Sequence, residues 1–89
     1  MKHAGPAALD ALEDLLGKLR GRPALKERSR GTFYLKSSAF LHFHEDPEGL
    51  FADLKVAGDF KRFRVTTAKE RAILLREVER LLPKHEDVR

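Results

Sequence analysis

The chain has 89 residues, no cysteine, a formal charge of +4 and a pI of about 9.7. That length predicts one domain, and the lack of cysteine excludes a disulfide framework and thiolate chemistry. Hydrophobic content of 42% beside 36% charged residues fits a folded globular chain rather than a disordered one.

No run approaches the ~18 apolar residues of a membrane-spanning helix, and Asp10, Glu13 and Asp14 interrupt any apolar signal core near the start. The expectation is a cytoplasmic protein with no membrane partner. A domain this small buries little more than about 60% of its unfolded surface, so self-association would add burial, and a homodimer is expected.

Met1 to Gly5 reads as a frayed tail. Pro6 suits a first helical turn, where its missing N–H would be unpaired in any case. Leu9, Leu12, Leu16 and Leu19 recur at steps of three and four, which predicts a helix over 7–19, stopped by Gly21 and Pro23. Lys18, Arg20, Arg22, Lys26, Arg28 and Arg30 then stand against Glu27 alone. This stretch predicts a basic connector that attracts an anionic partner.

Four strand patterns follow, over 32–36, 39–44, 50–57 and 60–66. All six Phe and the single Tyr lie between Thr32 and Thr66. A Gly58-Asp59 loop suits a type II′ hairpin and pairs Leu54 with Phe63, Lys55 with Arg62 and Asp53 with Arg64. Alternation then sets Ala52, Leu54, Val56, Phe63 and Val65 on the core face, with Asp53, Lys55, Arg62 and Arg64 opposite. For the first hairpin, a two-residue Ser37-Ser38 loop and a three-residue loop are both open. The three-residue loop separates the faces better, with Phe33, Leu35, Leu41 and Phe43 inside and Tyr34, Lys36, Phe40, His42 and His44 outside.

Thr67 to Glu70 spells a capping box. Leu74, Leu75, Val78, Leu81 and Leu82 form the stripe of a closing helix, ended by Pro83, with 84–89 as a charged tail. The predicted fold is α+β: a two-layer sandwich of a four-stranded antiparallel meander flanked by N- and C-terminal helices, in the order αββββα.

The segment GRPALKERSRGTFYLKSSAFLHF, followed by GLFADLK with its Leu54-Lys55 pair, resembles the MmcQ/YjbR group of small bacterial proteins. The resemblance covers about 22–66. It implies a CyaY-like α/β fold and a predicted DNA-binding role. The family's Trp-containing segment and further C-terminal helical sequence have no counterpart here.

The residues point to nucleic acid by another route. Arg22, Lys26, Arg28, Arg30, Lys36, Lys55, Arg62 and Arg64 are the candidate phosphate contacts, beside Phe40, Phe51 and Phe60 as exposed aromatics or a dimer interface. His42, His44 and Asp46 have a His-x-His-x-Asp spacing similar to that of metallo-β-lactamases, but Pro47 stands where the next His belongs. With His3 and His85 read as tail residues, too few ligands remain for a zinc site, and no metal is expected. Ser29, Ser37 and Ser38 lack a Gly-x-Ser-x-Gly context, and the glycines form no phosphate loop. The expectation is a non-enzymatic protein without a cofactor.

Overall fold

The computed structural model describes residues 1–83; the tail over 84–89, with His85, lies outside them. Its elements are β1 (Lys2–His3), α1 (Pro6–Ala11), α2 (Glu13–Arg20), β2 (Leu25–Ser29), β3 (Thr32–Leu35), β4 (Ser38–Asp46), β5 (Gly49–Val56), β6 (Asp59–Arg64) and α3 (Ala68–Leu81). The α+β class and the antiparallel sheet are as expected. The sheet is wider than a four-stranded meander: six strands in the order β2-β3-β4-β5-β6, with β1 added beside β4.

Both extra strands come from stretches read as irregular. The middle of the basic connector is β2, where Leu25 is buried while Lys26 and Arg28 are exposed. A single inward apolar residue leaves too little period to detect. Glu27 takes the next inward position because Arg20 and the Gly31 N–H both donate to its carboxylate. The supposed N-terminal tail is β1. It pairs Lys2 with Glu45 and His3 with His44. Its end is held where the Ala4 N–H donates to the Phe43 carbonyl at 3.0 Å and the Gly5 N–H to Glu45 Oε2 at 2.6 Å.

The expected first helix breaks at Leu12, whose backbone (φ −98°, ψ 6°) ends α1 and opens α2. The stripe survives the break: Leu12, Leu16 and Leu19 are fully buried. They share one core with Phe33, Leu41, Phe43, Ala52 and Leu54 from the sheet and with Leu74, Val78 and Leu82 around α3. The capping box forms as expected, with Glu70 N–H donating to Thr67 Oγ1 at 3.2 Å and Thr67 N–H to Glu70 Oε1 at 3.0 Å. Arg71 ties β6 to α3 by donating to the carbonyls of Val65 (2.8 Å) and Thr66 (3.0 Å).

Both hairpin loops sit one residue earlier than expected. Lys36 (φ 53°) and Ser37 (φ 70°) form the first, and Ala57 (φ 53°) and Gly58 (φ 92°) the second. Two consecutive positive φ angles are the mark of a type I′ turn, whose twist matches the strands it joins. The second hairpin therefore pairs Asp53 with Arg62, Lys55 with Phe60 and Leu54 with Lys61. The shift is an even one, so the expected faces hold although the partners change. In the first hairpin a bulge separates the Phe33–Leu41 pair from the Tyr34–Ala39 pair. The extra residue is Phe40, which turns inward and is 4% exposed. The expected inner face of Phe33, Leu41 and Phe43 is thus reached through a bulge rather than a longer loop, and Phe40 joins the core.

Candidate functional site

The helices cover one face of the sheet. Strand alternation aims Lys26 and Arg28 of β2, Tyr34 of β3, His42 and His44 of β4, Phe51, Asp53 and Lys55 of β5, and Phe60, Arg62 and Arg64 of β6 at the other. His3 stands beside His44. Asp53 is the carboxylate at the centre of this face; Asp46 lies at its end, where it accepts from the Glu48 N–H at 3.1 Å.

Three aromatic rings of this face each carry a cation. The Arg28 guanidinium lies 4.5 Å from the Tyr34 ring centre, Lys55 Nζ 5.4 Å from Phe60, and the Arg64 guanidinium 5.7 Å from Phe51. Such pairs form when a cation settles on the negative face of a ring. Phe60 is 44% exposed and Phe51 half-buried. Lys36 is exposed in the β3–β4 turn, at the end of a groove shared with Ala24, Lys26, Arg28, Tyr34 and Leu35.

Other expected contacts are elsewhere or already engaged. Arg22 pairs with Glu79 at 2.7 Å, and Arg30 with Asp10 at 2.9 Å and Glu13 at 2.8 Å, so both turn towards the helices and away from the open face. Phe40 is no interface residue, because the bulge buries it. The expected pairing of Lys55 with Arg62 does not form. Arg62 instead grips Asp53 with two hydrogen bonds of 2.8 Å, Nε to Oδ1 and Nη2 to Oδ2. Lys55 Nζ donates to Ser38 Oγ at 2.8 Å, and Arg64 Nε lies 3.4 Å from Glu70 Oε2. The Arg62 guanidinium holds the Asp53 carboxyl below the usual carboxylate range.

Three imidazoles meet beside Asp53. The ring centres are 4.7 Å apart for His3 and His44, 5.1 Å for His42 and His44, and 6.0 Å for His3 and His42. Burial, against the opposing pull of Asp53, pushes both His42 and His44 below the ordinary histidine pKa. The sequence pattern singled out His42 and His44 but set His3 aside, because the pairing of β1 with β4 carries no local apolar signal.

These shifts predict a pH dependence of stability for the metal-free protein. The unfolded chain binds protons at these rings near pH 6.5, and the folded chain only at lower pH. Their neutral state therefore supports folding fully above about pH 6.5, and that support is lost as pH falls towards the lowered folded values. The carboxylate and the guanidinium that act on these two rings are those of Asp53 and Arg62; Lys26, Arg28, Lys55 and Arg64 share the face. Urea midpoints in chelator should fall between about pH 7 and 5.5, where carboxylates stay ionised. The His42→Gln/His44→Gln variant should flatten that slope; an unchanged slope would place its origin in other groups.

Comparison of the chain with protein-family models, curated proteins and solved structures found no match.

Proposed function

We propose that the uncovered sheet face binds single-stranded nucleic acid and catalyses no reaction. The observation that carries this reading is the set of three rings, Tyr34, Phe51 and Phe60, each topped by a cation of the same face. Bases stack on aromatic side chains regardless of sequence, while neighbouring cations hold the phosphates. The rings sit on β3, β5 and β6, and at about 4.8 Å per strand they span roughly 14 Å across the sheet. The DNA-binding role implied by the MmcQ/YjbR resemblance points the same way.

Fluorescence anisotropy with labelled single- and double-stranded oligonucleotides at low salt is the test. Single strands should bind more tightly, with a log–log salt slope of about −0.7 per neutralised phosphate. Lys26→Glu/Arg28→Glu should lower that slope and weaken all sequences alike, since phosphate contacts carry little sequence information. Tyr34→Ala should weaken binding by about 1–3 kcal/mol through lost stacking. Arg22→Glu/Arg30→Glu should matter less, because these cations sit on the helix side. No binding at tens of micromolar protein overturns the reading. Phe51 and Phe60 would then serve the expected homodimer, which sedimentation of the same samples detects.

A further inference from the structure

We propose that His3, His42 and His44 form a binding site for a divalent transition-metal ion of the zinc type. One ligand atom from each of the three lies within 4.8 Å of the others. Two strands fix the arrangement. Along β4, residues two apart point the same way, so His42 and His44 share a face; β1 sets His3 directly across from His44. Sheet positions of this kind hold side chains more firmly than loops do.

The second observation is polar. Nδ1 of His42 and Nδ1 of His44 are both buried without a hydrogen-bond partner. Buried polar atoms left alone are costly, and native structures have few of them. A bound ion would engage these rings. Asp53 adds the carboxylate often found behind a ligating histidine: its Oδ2 is 3.5 Å from His44 Nδ1, while Arg62 holds it in place. If binding draws these two atoms into hydrogen-bond range, His44 Nδ1–H would donate to Asp53 and Nε2 of His44 would be left for the metal.

Zinc–nitrogen bonds of about 2.0–2.1 Å require ligand atoms roughly 3.4 Å apart in a tetrahedron, so ligand atoms now within 4.8 Å of one another must close by up to about 1.4 Å on binding. Three protein ligands leave the fourth position to water or an outside ligand. Asp46 is no part of this group, since it is turned to the Glu48 N–H.

Untagged protein should be titrated with Zn(II) by calorimetry and with Co(II) by visible absorption. Zn(II), unlike Cu(II), does not displace amide protons to bind backbone nitrogen. One ion per chain is expected, with the intense visible bands of four-coordinate Co(II) and a rise in Tm that grows with Zn(II) concentration. His3→Gln, His42→Gln and His44→Gln should each weaken binding at least about tenfold. His3 is exposed, so its variant tests the site without disturbing the core. Absence of saturable 1:1 binding at about 100 μM Zn(II), or His3→Gln binding as tightly as the parent chain, overturns the proposal. The oligonucleotide assay run in chelator reads the sheet-face function separately.

Discussion

Phe40→Ala should lower the unfolding free energy by about 3–5 kcal/mol, the range for truncating a core Phe. The side chain is 4% exposed and packs with Leu41, Phe43 and Leu54 in one cluster. Removing it leaves a cavity lined by groups that the sheet holds in place, so little of the volume can collapse. Phe51→Ala, on the open face, should cost no more than about 1 kcal/mol. Urea denaturation of the two variants at one pH gives the comparison. If Phe40→Ala instead dissociated an oligomer at unchanged stability, the inward bulge would be wrong.

Gly49→Ala should cost about 2–4 kcal/mol, large for the addition of one methyl group. Gly49 opens β5 with φ 143°, a conformation that residues with a Cβ rarely adopt. A Cβ there would fall on Thr66 Oγ1 and approach the guanidinium carbon of Arg64 to 3.1 Å. Thr66 Oγ1 accepts the Leu50 N–H at 2.9 Å, so making room for the methyl breaks that bond as well. Gly17→Ala is the contrasting case. It lies inside α2, where an added Cβ meets nothing within 4 Å, and should stabilise by about 0.5–1 kcal/mol. Thermal unfolding of both variants decides the matter: a Gly49→Ala protein as stable as the parent would refute the steric account.

The leucine stripes of the helices, the Thr67 cap and the inward faces of β4 and β5 were legible because each rests on a local period or a local hydrogen bond. Leu16, Leu19, Leu74 and Val78 lie where the helical repeat sets them, and Leu41, Phe43, Ala52 and Leu54 where strand alternation does. The hairpin partners were less legible. Lys36, Ser37 and Ala57 adopt positive φ without being glycine, asparagine or aspartate, so the turn residues named the wrong loops. The second hairpin kept its faces because its register moved by an even step; the first kept its inner residues because a bulge replaced the extra loop residue.

By itself the sequence determined that this chain forms an α+β domain with an antiparallel sheet, two leucine-striped helical regions and an excess of cations. Tertiary structure decided which of those cations share a surface. Arg22 and Arg30 are drawn away by Glu79, Asp10 and Glu13, and Arg62 is drawn onto Asp53, through partners up to 57 residues distant that no local pattern reveals. It also decided the fate of His3. A two-residue strand has almost no signal of its own, and only the free edge of β4 beyond the end of β3 offers it backbone partners. That pairing brings a third imidazole to His42 and His44.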